Sequence, residues 1–286
     1  MTVAIATSLI SPSPSRSETL FVEALNRSGV EAVCGPWNGD QALFERARLV
    51  LLRACWDYHQ SPREFLAWID RLEAASIPVL NHPEIVRWNF EKSYVFALEA
   101  AGVTVPRSAV IDLDDPANLA AAMDRLGLQL AVLKPISGQS GVNVVQVRRD
   151  SLDAVDLSAF STERGLVQSF EADIERHGET VLVFFEGVYS HAARRVLPSG
   201  EWRANANVGA TYEPADPPQA IIDQASRALA CSPMRPLYGR VDGIVRGDVF
   251  MVLELELIEP GLYLDTHPGA AERFCDAVRK RLTNSL

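Results

Sequence analysis

Residues 240–261 read RVDGIVRGDVFMVLELELIEPG, and this stretch decides how the rest of the chain is interpreted. Its polar and apolar side chains alternate, which predicts two consecutive strands. Glu254 and Glu256 stand two positions apart on the second strand, so their side chains share one face of the sheet. Asp242 on the first strand joins them if the two strands are antiparallel neighbours.

Three carboxylates directed at one spot repel each other unless a hard cation lies between them, and Mg²⁺ is held in this way beneath nucleotide phosphates. The intervening residues, such as Val241 and Leu255, are apolar, so the opposite face is expected in the core. The alternative is a solvent-exposed face with spare carboxylates, which is common on a sheet packed on one side.

Lysine is rare in this chain, since only Lys92, Lys134 and Lys280 occur among 27 lysines and arginines. A lysine kept against this bias is a candidate for a position that needs a compact ammonium group, such as a nucleotide phosphate site. Lys134 ends an apolar strand (AVLKP) and precedes the small-residue loop SGQSG at 137–141. Such a loop supplies backbone N–H groups to a polyphosphate, although it is not a Walker A motif. An ordinary hairpin turn is the alternative.

The composition excludes several classes of protein. With 286 residues, 48% hydrophobic and 22% charged, the chain can bury a sizeable core. A formal net charge of −10 argues against nucleic acid as a partner, because such binding needs a basic field. No apolar run reaches the ~20 residues that span a bilayer, so no membrane partner is expected. Four cysteines without CxxC spacing and five histidines without an HExxH motif argue against zinc enzymes and disulfide scaffolds, and they indicate a cytoplasmic protein.

Strand and helix patterns alternate along the first 80 residues, which predicts a parallel sheet with helices on its faces. The turn Asn81-His82-Pro83 marks a boundary, and from Glu179 onward the pattern becomes strand-rich. Beyond the turn we predict, in order, a helix at 89–101, a strand at 109–112, a helix at 116–126, strands at 130–134, 142–147, 165–170, 180–186, 188–195 and 202–207, a helix at 217–230, strands at 237–245 and 249–257, and a helix at 268–282.

Several motifs follow one another in an order that is more specific than any one of them. They are NFEK (Lys92), VLKP (Lys134), the small-residue loop, LVQSF, HGET (Glu179), GEWRANANVGA, RVDG and LELELIEPG. In this order they resemble the ATP-grasp superfamily of carboxylate–amine ligases, which includes glutathione synthetase and D-alanine:D-alanine ligase. Near the front, LLRACWDYHQSPREFLAWID and NHPEIVRWNFEKSY look like a subgroup that contains the D-cycloserine-forming cyclo-ligase, which closes O-ureidoserine into a ring.

The resemblance implies the ATP-grasp fold in an α/β chain that is α+β in its C-terminal part. Residues 1–88 are expected to form an N-terminal α/β domain on the substrate side, and residues 89–286 the ATP-grasp domain. Within the latter we expect a small mobile lid subdomain at about 103–170 and a C-terminal catalytic subdomain with an antiparallel sheet at about 171–286. The sequence does not determine the oligomeric state, for which a homodimer is the default because dimers are the commonest soluble oligomers.

ATP is the nucleotide that the resemblance implies. Lys92 and Lys134 look like the two lysines that hold its α- and β-phosphates, and Ser140 and Gly141 belong to the loop that would cover them. The loop has Gln139 at its tip and is less glycine-rich than many in the superfamily, which leaves its mobility as a lid open.

The adenosine part of ATP is assigned by the same resemblance. Gln168 and Phe170 would lie at the hinge between the two lobes of the nucleotide cleft, where the adenine edge is read. Glu179 matches the glutamate that binds the ribose hydroxyls, and Glu175 is close enough in sequence to compete for that role.

Asp242, Glu254 and Glu256 match the ligands of Mg²⁺, and two ions are expected. In D-alanine:D-alanine ligase the last ligand is an asparagine, so Glu256 either raises the affinity for Mg²⁺ or lies outside the coordination sphere. Arg203 and Arg240 match arginines near the transferred phosphoryl group, and Asn205 is assigned a place beside the metal.

Candidates for substrate contact follow the apolar run at 47–52, which is predicted to be a strand of the parallel sheet. Arg53, Trp56, Asp57 and Tyr58 lie at its carboxyl end, where open α/β sheets bind ligands. A packed aromatic residue with a charge pair is the alternative. His191 is a further candidate, either for substrate contact or as a base, although a histidine whose hydrogen bonds are satisfied within its strand is favoured.

The function implied is an ATP-dependent ligase that forms a C–N bond on a small amino-acid-like carboxylate through an acyl phosphate, with intramolecular ring closure as one form. The chain carries no sequence signature of a nucleophilic triad, consistent with a reaction that needs no protein nucleophile. The alternatives are a peptide ligase of the glutathione synthetase or ribosomal-protein glutamate ligase type, and a nucleotide-binding module without turnover.

Overall fold

The N-terminal part of the protein is a parallel sheet covered by helices. The computed structural model describes residues 2–160, 162–205 and 208–284. The sheet order is β2-β1-β3-β4 and every pairing is parallel. In chain order the elements are β1 (Thr2–Thr7), α1 (Arg16–Arg27), β2 (Glu31–Pro36), α2 (Ala42–Glu45), β3 (Leu49–Leu52), α3 (Pro62–Ala74) and β4 (Val79–Leu80). The uninterrupted apolar run in β3 is explained by its burial on both faces, as expected in a parallel sheet.

The segment that links this sheet to the rest of the chain departs from the sequence prediction. Instead of one helix over 89–101, it contains α4 (Pro83–Asn89), a 3₁₀ turn at Lys92–Tyr94 and α5 (Val95–Ala100). Glu91 is extended, and the backbone N–H of Lys92 donates to the carbonyl of Ile136 at 2.7 Å. The prediction of a single helix was therefore wrong, because this hydrogen bond ties the segment to a neighbouring sheet.

The middle of the chain is an antiparallel sheet in the order β5-β8-β6-β7. Its elements are β5 (Ser108–Asp112), α6 (Pro116–Leu126), β6 (Leu130–Pro135), β7 (Val145–Arg148) and β8 (Arg164–Ser169). Helix α6 has the predicted bounds, since Asp115 caps its first turn and Gly127 ends it in the left-handed conformation. The strand predicted from residue 142 begins later because residues 139–144 form tight turns.

The C-terminal part is built on an antiparallel sheet in the order β11-β10-β9-β12-β13. Its elements are α7 (Asp173–His177), β9 (Glu179–Phe185), β10 (Val188–Val196), β11 (Thr211–Ala215), α8 (Gln219–Leu229), β12 (Tyr238–Arg246), β13 (Val249–Glu256) and α9 (Ala270–Asn284). The predicted α/β and α+β organisation is confirmed. Each sheet falls inside one of the predicted segments 1–88, 103–170 and 171–286, and that these segments act as domains stays a prediction.

The predicted strand at 202–207 is not found. Residues 202–205 form no regular element, and residues 206 and 207 lie outside the described part of the chain. The backbone N–H groups of Trp202 and Arg203 both donate to the carboxylate of Glu201, each at 2.9 Å. This local capping competes with strand pairing, and the edge position of the sheet is taken by β11, which the sequence did not predict.

Buried side chains join the first sheet to the third. Asn81 donates to the carbonyls of Tyr238 and Leu257, both at 2.7 Å, and accepts from the N–H of Leu237 at 2.7 Å. The Tyr238 hydroxyl lies within hydrogen-bond distance of the carbonyls of Leu52 and Ile258. One apolar core runs from β1 and β3 to β9 and α9. None of the helices in the described ranges is both long and apolar enough to cross a membrane.

We expect Asn81→Ala to reduce the free energy of unfolding by about 2–4 kcal/mol, because it leaves buried backbone groups without partners. Urea unfolding followed by circular dichroism measures the change. The exposed Asn38→Ala variant is the control, with an expected change within about 0.5 kcal/mol. Equal midpoints for the two variants would show that the buried amide does not hold the sheets together.

Candidate active site

A cavity of about 350 Å³ lies between the second and third sheets and is also lined by residues of the first part of the chain. Most of the residues singled out from the sequence line it. They are Trp56, Lys92, Lys134, Ser140, Gly141, Gln168, Phe170, Glu179, Arg203, Asn205, Arg240, Glu254 and Glu256. Asp242 lies just beneath the surface of the cavity, fully buried.

The strand register explains why the acidic residues converge. In the antiparallel pair β12–β13, Asp242 is opposite Glu254, and Arg240 is opposite Glu256. Directly opposite residues of an antiparallel pair share a face, as do residues two apart on one strand. All four side chains therefore point to the same side. Oxygen atoms of the three carboxylates lie within 4.8 Å of one another, the one such acidic cluster found in the described ranges.

Two arginines compensate the charge of this cluster. Arg240 makes a two-pronged ion pair with Asp242, with Nε–Oδ1 and Nη2–Oδ2 both at 2.8 Å, and also pairs with Glu256. Arg195 reaches Glu179 at 2.5 Å and Asp242 at 3.3 Å, and its Nε donates to the Tyr263 hydroxyl at 2.6 Å. The sequence analysis did not assign Arg195 to the site, since nothing in the chain distinguishes it from the other arginines.

The carboxylates of the cluster have divergent acidities. Burial raises the pKa of Glu256 to about 7, with Arg240 opposing this rise and Asp242 adding to it. Burial would also raise the pKa of Glu254, but the ammonium groups of Lys92 and Lys134 outweigh burial and lower it to about 2. Of Glu254 and Glu256, Glu254 is thus the carboxylate more firmly held in its charged form.

The same logic applies to Glu179. Burial raises its pKa to about 7, while the neighbouring Arg195 lowers it and Asp242 raises it. Glu179 is buried and lines the cavity, whereas its rival Glu175 is exposed on α7 and does not. The structure therefore places Glu179, of the two, where a ligand in the cavity can reach it.

The two lysines enter the cavity from different elements. Lys92 forms an ion pair with Glu254, and Lys134, at the end of β6, makes no ion pair within the described ranges. Burial and the charge of Lys92 lower the pKa of Lys134, while Glu254 opposes this change. An ammonium group without an anionic partner in a lined cavity suits a phosphate oxygen.

The segment that carries Lys92 is fixed to the edge of β13. The Asn89 side chain donates to the carbonyl of Leu255 at 2.9 Å and accepts from the N–H of Leu257 at 2.8 Å. The Tyr94 hydroxyl accepts from the N–H of Leu255 at 3.1 Å. These bonds flank Glu256 in the chain, so they hold Lys92 in register with the acidic cluster.

The far end of the cavity is apolar and has an amide at its edge. Gln168 is buried and donates to the Ser108 hydroxyl at 3.0 Å. Phe170 packs edge-on against Trp202, with ring centroids 5.8 Å apart. Together with Val132 and Leu253, which also line it, these residues form a slot suited to a flat heterocycle.

The small-residue loop approaches the segment around residue 205 closely. A Cβ atom on Gly141, whose φ is +68°, would lie 2.5 Å from the side-chain oxygen of Asn205. Ser140 and Gln139 line the same edge of the cavity. The loop and this segment thus close one side of the cavity together, and any larger side chain at 141 would separate them.

Arg203 lies at the rim of the cavity. It pairs with Glu201 at 2.8 Å, and its guanidinium carbon lies 5.8 Å from the centre of the Trp202 ring. A position near a transferred phosphoryl group therefore requires Arg203 to exchange this partner.

Arg53 and Asp57, predicted to contact substrate, do not line the cavity, so for them the alternative of a packed charged residue applies. Arg53 is fully buried, donates to Glu18 at 2.9 Å and to the carbonyl of Pro260 at 2.7 Å, and lies over the Tyr238 ring at 5.0 Å. Asp57 accepts from the indole of Trp37 at 2.6 Å. Trp56, between them in sequence, does line the cavity.

His191 is likewise absent from the cavity lining. Its Nε2 lies 2.8 Å from the carbonyl of Leu262 and its Nδ1 lies 2.9 Å from the Ser190 hydroxyl. Burial lowers the pKa of this imidazole to about 4, and the nearby Arg273 adds to the effect. These contacts support the favoured alternative of a histidine whose hydrogen bonds are satisfied within the fold, and a role in substrate contact or as a base stays a prediction.

Besides Arg195, the cavity residues Gln139 and Glu259 were not assigned to the site by the sequence analysis. Both stand in motifs that were quoted without a role for them. Period-2 alternation ends at Leu257, so it does not tell where Glu259 points. Tyr58, one of the predicted substrate contacts, does line the cavity.

Two parts of the chain match models of known protein families. Residues 3–81 match the family model of the N-terminal domain of D-cycloserine synthetase DcsG. Residues 108–229 match that of the ATP-grasp domain of prokaryotic glutathione synthetase. The cycloserine biosynthesis protein DcsG of Streptomyces lavendulae is 30% identical over 279 residues, which cover 92% of each chain.

Solved structures give the same result for the fold. The crystal structure of D-cycloserine synthetase DcsG superposes with a TM-score of 0.86 at 28% identity, covering 99% of this chain and 100% of that one. D-alanine–D-alanine ligase from Bacillus anthracis superposes with a TM-score of 0.71 at 18% identity, covering 99% and 97% of the two chains. The latter likeness concerns the fold alone.

The buried neutral state of His191 has a consequence for stability. Because its pKa is lowered to about 4, the unfolded chain binds a proton between pH 4 and about 6.5 that the native chain does not. The contribution of His191 is therefore fully present above pH 6.5 and is lost as the pH falls, by up to about 1.4 kcal/mol per pH unit.

We expect the difference in unfolding free energy between the wild type and His191→Gln to shrink as the pH falls from 7 to 4.5. Urea unfolding at several pH values measures it, with the exposed His177→Gln as the matched control. A constant difference over this range would contradict a neutral native imidazole.

Proposed function

Since this chain belongs to the ATP-grasp family of ligases, in the group of the D-cycloserine synthetase DcsG, we propose that it closes a small amino-acid-like carboxylate into a ring at the expense of ATP. It is an ATP-dependent ligase, and the proposal concerns its substrate and the course of its reaction. The observation that supports it most directly is that both lysines and the acidic cluster meet at one cavity.

The cavity has an order that suits ATP. The slot at Gln168 and Phe170 would receive adenine, with Glu179 at the ribose hydroxyls. Lys134 and Lys92 would then lie along the α- and β-phosphates, and backbone N–H groups near Ser140 and Gly141 would cover them. The γ-phosphate would then lie at Arg240, beside the acidic cluster.

Asp242, Glu254 and Glu256 have the donor chemistry for Mg²⁺, because hard cations take carboxylate oxygens and these three converge. Two bound Mg²⁺ ions would neutralise the oxygens of the β- and γ-phosphates. Lys92 and Lys134 keep Glu254 ionised, which suits it to hold a cation.

The chain's own residues account for the chemistry that follows. Arg240, buried and charged, is placed to stabilise the charge that develops when a substrate carboxylate oxygen attacks the γ-phosphorus and ADP departs. The acyl phosphate then loses phosphate when a nitrogen atom attacks its carbonyl carbon. The loop and Asn205, which close one side of the cavity, would exclude water, which otherwise hydrolyses this intermediate.

In ring closure the attacking nitrogen belongs to the same molecule. In the formation of D-cycloserine from O-ureidoserine that nitrogen also loses its carbamoyl group, which reacts with water to give CO2 and ammonia. The match over the N-terminal part favours this course, because that part supplies the substrate-side residues Trp56 and Tyr58. The glutathione synthetase model matches the nucleotide-binding part of the chain, so this match does not indicate a peptide substrate.

That the protein forms a homodimer stays a prediction.

We expect Lys134→Ala to lower kcat/KM for ADP formation by at least about 100-fold, because it removes a preorganised charge from the phosphates. Glu254→Ala is expected to abolish ADP formation. A coupled assay of ADP release measures both, and Lys280→Ala on the exposed face of α9 is the matched control. Full activity of either site variant, with an intact fold by circular dichroism, would remove that residue from the site.

The proposed substrate is tested by incubating the protein with ATP, Mg²⁺ and each enantiomer of O-ureidoserine. We expect ADP in step with a cyclic product detected by mass spectrometry, without any added amine. ADP formation that requires a second amino compound would refute ring closure in favour of an intermolecular ligase. No ADP with either enantiomer would refute the substrate.

A further inference from the structure

Glu259 is a buried carboxyl group that the mechanism above does not use. It lines the cavity, is 6% exposed, and its Oε2 has no hydrogen-bond partner among the described residues. Burial and the charge of Glu256 raise the pKa of Glu259 well above its usual value, and Arg53, Lys92 and Arg240 oppose this rise. Arg53 makes its ion pair with Glu18 instead. A carboxylate oxygen that is buried without a donor is costly, so its position calls for a donor from elsewhere.

A second acceptor without a partner lines the same corner. The side-chain oxygen of Gln139, at the tip of the small-residue loop, is buried and has no hydrogen-bond partner in the described chain. Burial and the charge of Glu259 raise the pKa of the Tyr58 hydroxyl, and hydrogen bonding from Gln139 opposes this rise. Glu259 and Gln139 therefore both lie close to Tyr58, and all three line the cavity.

We infer that Glu259, Gln139 and Tyr58 form a subsite for the primary ammonium group of the substrate. An ammonium group brings three N–H donors and a positive charge. Its donors match the acceptor oxygens of Glu259, Gln139 and Tyr58, and its charge matches the carboxylate of Glu259. A neutral amide or a hydroxyl group supplies fewer donors and adds no positive charge beside the carboxylate. The subsite thus selects amino acids over their deaminated analogues.

The position of the subsite fits a small α-amino acid. Glu259 follows Glu256 by three residues, so their Cα atoms are at most about 10 Å apart. Glu254, Glu256 and Glu259 line the same cavity, so a small substrate whose carboxylate is phosphorylated beside the acidic cluster can present its ammonium group to Glu259. Gln139 belongs to the loop that covers the phosphates, so an ammonium group bound there would link the substrate to closure of the loop.

This inference rests on the proposed function for the site, and its test separates the two. The probes are O-ureidoserine and 3-(ureidooxy)propionate, in which hydrogen replaces the ammonium group. We expect the wild type to prefer O-ureidoserine about 10- to 100-fold in kcat/KM, as for a charge-assisted hydrogen bond. Glu259→Gln should raise the KM for O-ureidoserine by a similar factor, reduce the preference to within about threefold and leave the KM for ATP unchanged.

The exposed Glu64→Gln is the matched control and is expected to keep the wild-type preference. Gln139→Leu, at a half-buried loop position, tests the same corner if Glu259→Gln does not fold, with an expected rise in KM of about two- to tenfold. An unchanged preference in the folded variants overturns the subsite, as does a wild type that uses both compounds equally.

Calorimetric titration with a non-hydrolysable ATP analogue and Mg²⁺ present measures the binding affinities of the two compounds in the absence of turnover. Tighter binding of O-ureidoserine without ADP formation would refute the proposed reaction and retain the subsite. Equal affinities, or no binding of either compound, would overturn the subsite whether or not the protein forms ADP with other substrates.

Discussion

The structure depends on how it holds a dense group of buried carboxylates. The pairing of β12 with β13 puts Asp242, Glu254 and Glu256 on one face, where burial and mutual repulsion oppose their charge. Arg240 comes from the same strand pair, whereas Lys92 and Arg195 are brought by other elements. The folded state depends on these ion pairs, because a buried charge is tolerated only when it is paired.

Holding cations from distant segments at one point requires rigid joints, and these are made by buried side-chain hydrogen bonds to strand edges. Asn89 and Tyr94 fix the segment of Lys92 to β13, and Asn81 fixes the end of the first sheet to β12 and the residue after β13. The hydroxyl of Tyr238 binds at the same junction. Such bonds are directional, so they set the register between sheets where apolar packing alone would permit sliding.

Much of the fold and the candidate site could be predicted from residues whose role is local. The bounds of α6 follow from Asp115 and Gly127, and the convergence of Glu254 with Glu256 follows from strand periodicity. Other features did not follow from the sequence pattern, for two reasons. Arg53 has the residue type of a site, but the distant carbonyl of Pro260 binds it in the interior. The segment at 202–205 was predicted to be a strand, yet the carboxylate of its neighbour Glu201 caps it.

By itself the sequence determined the order of the motifs, the strands that carry the acidic residues and the lysines retained in an arginine-rich chain, and with these the family and its chemistry. These are properties of neighbouring residues, set by side-chain periodicity and backbone propensity. The tertiary structure decided which arginine reaches Asp242, which glutamate faces the cavity, and that Glu259 and Gln139 meet beside Tyr58. Those outcomes depend on contacts between residues far apart in the chain, and no local pattern encodes them.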